Sequence, residues 1–209
     1  IQMSDKNQPL QSSEYGGMSI EELATASTVY RADLLTDQTI VISGAGTGMG
    51  RAMAFLAARL GANVVICGRR EEKLQEVKDG INQHVGRDIE YAQVNIRDPE
   101  NVEKFISNIF DHHGTINALI NSAGGQFSQA AIDFSRKGGL AVIDTNLNGT
   151  WWMMQEAAKK WRDTRQEGNI INIAAHVERG MPQSAHSCAA RAGVIYLSKT
   201  VSTEWAEHN

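Results

Sequence analysis

The sequence predicts a doubly wound α/β domain built on a parallel sheet. Five short apolar runs, the first of them β-branched, alternate with five helical stretches. Each run is almost continuously apolar, as expected of strands covered by helices on both faces. The first run ends in a glycine cluster that opens a helix, a junction typical of nucleotide-binding α/β sheets. A length of 209 residues suits one such domain.

Taken in order, Ser19 with Glu22 three residues on forms a capping box that predicts a helix to about Tyr30. Thr39 to Ser43 is the first strand. Met49, Met53, Leu56 and Leu60 recur at helical spacing over Gly48 to Leu60. Asn63 to Cys67 is the second strand, and Glu71 to about His84 a charged amphipathic helix. Ile89 to Val94 is the third strand. Pro99 suits the first position of a helix whose apolar face is Val102, Phe105, Ile106 and Ile109. Ile116 to Ile120 is the fourth strand, followed by one helix from Gly139 to Thr164. Asn169 to Ala174 is the fifth strand, and Ser184 to Glu207 the last helix. Strands separated by helices in this way lie parallel, with right-handed crossovers. Residues 1–18 are polar and read as a flexible N-terminal tail without a signal peptide; residues 19–209 read as the domain.

Composition narrows the function. Twenty Lys and Arg against 24 Asp and Glu give a net charge of −4, with no basic block to attract nucleic acid. No apolar run approaches the roughly 20 residues of a membrane-spanning helix. Cys67 and Cys188 lie far apart in no metal-binding pattern, so they read as reduced thiols and no metal is expected.

The chemistry begins at Ser43-Gly44-Ala45-Gly46-Thr47-Gly48-Met49-Gly50. Gly44 permits a tight turn, Gly48 lets backbone approach a pyrophosphate at the helix N-terminus, and Gly50 lets helix pack closely on strand. This Rossmann-like string therefore points to a dinucleotide. After the second strand, where a carboxylate would bind the ribose hydroxyls of NAD, stand Arg69 and Arg70. Two guanidiniums suit a 2′-phosphate, which selects NADP(H).

Gly44-x-x-x-Gly48-x-Gly50, Asn121-Ser122-Ala123-Gly124 and Asn146-Leu147-x-Gly149-Thr150 resemble, in order and separation, the short-chain dehydrogenases/reductases from about residue 36 to Asn209. The resemblance makes Ser43, Gly44, Thr47, Gly48, Met49, Gly50, Arg69, Arg70, Asn95, Ile96, Asn121, Ala123, Gly124 and Arg191 the cofactor-binding set. It places Asn146 on the active-site helix, supporting a proton-relay water. It also implies a homodimer or homotetramer.

The family's usual Tyr-x-x-x-Lys pair falls on Ser187 and Arg191, and its Ser on about Ala174. Tyr196, nine residues after Ser187, lies about 180° round the helix and does not replace the tyrosine. His186, beside the tyrosine position, is a candidate proton donor or a surface residue. Trp151, Trp152, Met153 and Met154 are candidates for an apolar substrate path or for packing. The strings Gly124-Gly125-Gln126-Phe127 and His186-Ser187-x-Ala189-Ala190-Arg191-Ala192-Gly193-Val194 resemble one branch of the family, that of peroxisomal trans-2-enoyl-CoA reductases and bacterial citronellol/geraniol-catabolism dehydrogenases. In that branch Asn146, Ser187 and Arg191 are the expected catalytic residues.

The resemblance implies NADPH-dependent reduction of a 2-enoyl-CoA or a related unsaturated acyl or terpenoid substrate. A carbonyl needs a proton on oxygen, the task of the replaced Tyr. A conjugated C=C takes hydride at its β-carbon and needs only donors to the enolate oxygen. An alcohol or aldehyde dehydrogenase is one alternative, and a cofactor-binding module without turnover is another. The family's last two strands have no counterpart here, so the chain is expected to be a piece of a longer reductase. The expected location is cytoplasmic, or peroxisomal in a eukaryote.

Overall fold

The computed structural model describes residues 17–175 and 177–206. Its sheet has five parallel strands in the order β3-β2-β1-β4-β5: β1 Thr39–Ser43, β2 Asn63–Gly68, β3 Glu90–Gln93, β4 Ala118–Asn121 and β5 Asn169–Asn172. The helices are α1 Ile20–Thr25, α2 Gly48–Arg59, α3 Glu71–Val85, α4 Pro99–His113, α5 Arg136–Ile143, α6 Gly149–Thr164 and α7 Ala185–Glu204. Of the expected tail 1–18, residues 1–16 lie outside the described residues, as does Glu207 of the expected last helix.

Alternation along β1 sorts the core. Ile40 and Ile42 pack with Phe55, Leu74 and Val77 on one face; Val41 packs with Phe105, Ile106, Leu119 and Met153 on the other. Burying each such side chain contributes about 1.5–3 kcal/mol. The outer strands depart from the expected apolar runs. β3 and β5 are partly exposed because each has a neighbour on one side only among the described strands.

Three boundaries also differ from expectation, each for a visible reason. The capping box of Ser19 and Glu22 forms, but α1 stops at Thr25 rather than near Tyr30. Arg59 donates to the carbonyls of Leu23 and Ala26, which a longer helix would need for its own ladder. The single helix expected over Gly139–Thr164 starts earlier, where Ser135 caps Gly138 N–H. A π turn, Asp144–Asn148, then interrupts it, closed by Gly149 N–H donating to the Asp144 carbonyl. β5 ends at Asn172, not Ala174, because the Ile173 carbonyl accepts a bond from Arg191 Nη1 (2.7 Å).

Cys67 lies fully buried in the second core, and burial pushes its thiol up to about 12 from an ordinary 9.0. Above pH 9 the unfolded thiol releases its proton while the folded one keeps it. Rising pH therefore favours unfolding, by at most ~1.4 kcal/mol per pH unit. Denaturant titrations of wild type and Cys67→Ala between pH 8 and 10.5 are expected to show a shallower decline for the variant.

Candidate active site

The strand order turns back at β1 and β4, so their carboxyl ends frame a crevice, the usual ligand position in such sheets. A cleft of about 280 Å³ lies there. Among its lining residues are Gly44, Thr47, Gly48, Met49, Arg69, Arg70, Asn95, Ile96, Ala123 and Gly124 from the expected cofactor set. Gly44 and Gly48 are left-handed, at φ +70° and +57°. A Cβ on Gly48 would meet nothing within 4 Å, so this turn leaves open space where backbone is to meet a ligand. Thr47 makes no side-chain cap, which leaves the first-turn N–H groups of α2 facing outward, as an anion requires. These features fit a bound pyrophosphate.

Ser43, Gly50 and Asn121 build the cleft from behind. Ser43, 1 % exposed, accepts from Ala123 N–H (3.2 Å), holding the loop after β4 against β1. A Cβ on Gly50 would fall 2.5 Å from the Gly44 carbonyl oxygen, so the helix rests directly on the turn. Asn121 donates to Asn172 Oδ1 (2.9 Å), and Asn172 donates to Ser198 Oγ (2.9 Å), a chain that ties β4 to β5 and α7. Lys73 also lines the cleft beside the two arginines. Sequence reasoning missed it, although its place four residues after Arg69, in the first turn of α3, was a signal for a third cation. Arg69 and Arg70 are exposed at the rim, and Arg70 Nη2 reaches Thr47 Oγ1 at 3.5 Å.

The π turn delivers Asn146 to the far end of the cleft, 1 % exposed. Such turns rotate one residue out of the helical register and concentrate at functional sites. Asn146 Oδ1 accepts from Gly125 N–H (2.8 Å), while its Nδ2 donates to the Gly125 carbonyl (2.9 Å) and to Ser187 Oγ (3.4 Å). With Asn146 as donor, the Ser187 hydroxyl proton is free for another acceptor. Arg191 stands one turn along α7 and lies against Gly124, where an added Cβ would meet Nη2. Burial lowers its affinity for the proton, yet a guanidinium remains charged. The structure thus gathers Asn146, Ser187 and Arg191 around Gly124-Gly125.

Tyr196 and the Trp151–Met154 run separate from this cluster. Tyr196 is 69 % exposed, with Lys199 over its ring. Met153 and Met154 are core residues, Trp152 packs against the second core, and Trp151 stacks on Trp205 beside β5. His186 is buried, not on the surface.

The short chain dehydrogenase family model matches residues 38–209. The chain belongs to the short chain dehydrogenase family. A probable 2,4-dienoyl-CoA reductase of Bacillus subtilis (strain 168) is 37 % identical over 169 residues, covering 80 % of this chain and 66 % of the relative. The structure of a citronellol catabolism dehydrogenase of Pseudomonas aeruginosa PAO1 superposes with a TM-score of 0.81 at 34 % identity, covering 87 % of this chain and 74 % of that one. A metagenomic short-chain oxidoreductase in complex with NADP gives 0.78 at 26 % identity, covering 83 % and 79 %. The chain spans between 56 % and 66 % of the length of four curated relatives. Among the described residues, no helix of this short chain dehydrogenase is long and apolar enough to cross a membrane.

Proposed function

We propose that the protein is an NADPH-dependent reductase of unsaturated acyl thioesters, 2-enoyl- or dienoyl-CoA, or of a related terpenoid derivative. One observation carries the reading: Ser187 and Arg191, which the family resemblance aligns with the usual Tyr and Lys, converge on Asn146 and Gly124-Gly125, leaving a hydroxyl donor but no phenol. The printed names of the Bacillus and Pseudomonas relatives agree with such substrates.

Held by the glycine turn and the two arginines, NADPH would supply hydride to the β-carbon of an enoyl thioester, or to the δ-carbon of a dienoyl one. Asn146 fixes the loop at Gly125 and orients Ser187. The Ser187 hydroxyl then donates to the thioester oxygen, where charge gathers as the enolate forms. Arg191 keeps a positive charge at the same end of the cleft and braces β5 against Gly124. Water protonates the α-carbon. By the family resemblance, two or four copies assemble through their long helices.

The test is NADPH oxidation by the full-length protein with a trans-2-enoyl-CoA, a 2,4-dienoyl-CoA, an unsaturated aldehyde and a ketone. Turnover of only the aldehyde or ketone selects the dehydrogenase alternative; tight NADPH binding without any turnover selects the binding module. The same assay tests cofactor choice. Arg69→Ala with Arg70→Ala removes charge-assisted bonds worth about 1.5–3 kcal/mol in favourable cases, so NADPH affinity is expected to fall by about 10–100-fold while NADH binding holds. An equal loss for both cofactors would assign the arginines to general attraction.

A further inference from the structure

His186, the second residue of α7, is 6 % exposed, and neither of its ring nitrogens has a hydrogen-bond partner. Other side chains among the described residues leave one buried polar atom unpaired but engage another: Asn121 donates to Asn172, Gln166 to Gly114, and Arg51 to Met18. His186 alone among these described side chains has every polar atom buried and unengaged. A neutral imidazole carries one donor and one acceptor, so this burial opposes folding unless something fills the gap.

The surroundings indicate what fills it. The ring lies 4.5 Å from that of Phe127 and 4.2 Å from that of Phe134, and those two rings meet edge to face at 5.6 Å. Phe127 is three residues past Gly124, which abuts Arg191 and Asn146, so this aromatic wall adjoins the reacting centre. Phe127 is 37 % exposed, Gln129 N–H bonds the Gln183 carbonyl, and Ser128 bonds the Gln183 side chain. The loop after β4 is thus latched onto the segment before α7, and Ser187, the residue after His186, is 2 % exposed.

We propose that His186 is a substrate-binding residue whose ring N–H donates to the thioester carbonyl oxygen when the acyl group enters between Phe127 and Phe134. This rests on the thioester reading above. Ser187 supplies the second donor to the same oxygen, whose two lone pairs accommodate both. The phenylalanines hold the acyl carbons. No proton leaves the imidazole; the α-carbon is still protonated by water. Packing alone does not call for a histidine here, since leucine or phenylalanine would fill the same space without stranding two nitrogens.

The test compares His186→Leu and His186→Gln in the full-length protein, with crotonyl-CoA as the probe. Leucine is expected to lower kcat/KM by about 100-fold, in the range of a lost oxyanion donor. NADPH affinity should stay within about twofold and Tm should be equal or higher, because an unpaired polar group has gone. Glutamine, which retains an N–H donor, is expected to recover part of the rate. Unchanged kcat/KM in His186→Leu overturns the proposal, and so does a parallel loss of Tm and NADPH binding, the mark of a packing role. If wild type reduces no enoyl thioester, the thioester reading itself falls. The ring ¹⁵N signals of His186 in the NADP⁺ complex then decide: a shift on adding crotonyl-CoA sustains the contact, and no shift overturns it.

Discussion

Gly44→Ala is expected to cost about 2–5 kcal/mol of stability and to abolish measurable NAD(P)H binding. The added Cβ would lie 2.5 Å from Ala123 Cα, 2.7 Å from its nitrogen and 2.9 Å from the Ser122 carbonyl carbon. All three are backbone atoms, so no side-chain rotation relieves the contact. The residue is also left-handed, at φ +70°, which costs an L-residue roughly 1–2 kcal/mol. Overpacking adds about 1–3 kcal/mol. Escape on the other side is blocked, because the Gly44 N–H bonds the Cys67 carbonyl (2.8 Å) and its own carbonyl supports Gly50. The strain therefore spreads β1 from β4 at the mouth of the cleft. Gly48→Ala is the control: it shares the left-handed backbone but meets only open space, so it should lose roughly 1–2 kcal/mol. Denaturant midpoints and NAD(P)H fluorescence measure both. Equal losses at the two positions would show that the contact with Ala123 contributes nothing.

The contrast between these glycines shows what was legible in the sequence. Spacing alone assigned a turn at Gly44, an open approach at Gly48 and close packing at Gly50, because each role follows from the lack of a Cβ. The apolar runs located all five strands, most cleanly at the centre of the sheet, for a similarly local reason: alternation along β1 feeds both cores. What escaped depends on partners distant in the chain. Arg59 ends α1, and Arg191 ends β5, by taking carbonyls that the ladder would otherwise use. No local propensity encodes either event. The π turn was hidden because Asp144 to Asn148 carry no helix-breaking residue; the shift shows only when Asn146 is bonded across to Gly125. His186 looked ambiguous for the same reason. Its burial comes from Phe127 and Phe134, more than 50 residues earlier in the chain.

Arg191 is where fold and proposed chemistry meet, and Arg191→Met is expected to lower kcat by about 100-fold or more, close to 2.7 kcal/mol of transition-state stabilisation. The side chain acts twice. Its Nη1 bonds the Ile173 carbonyl at the end of β5, and its Nη2 sits against Gly124, so removal loosens both walls of the site. It also removes the fixed cation that the proposed function assigns to the reacting end of the cleft. Arg191→Lys separates these roles. Lysine restores charge but lacks the planar fork, so it is expected to recover only part of the rate at pH 7. The pH profile then carries the sharper signal. Burial already lowers the proton affinity of Arg191, but a guanidinium stays protonated throughout the working range. A lysine in the same partly buried place starts from about 10.4 and is pushed down. The variant should therefore lose activity as pH rises through that lowered value, whereas the wild type shows no such alkaline limb from this position. Profiles of kcat between pH 6 and 10 test this directly. If Arg191→Lys and wild type decline in parallel, the charge at residue 191 does not act on the reaction, and the role of Arg191 reduces to bracing β5 against the loop after β4.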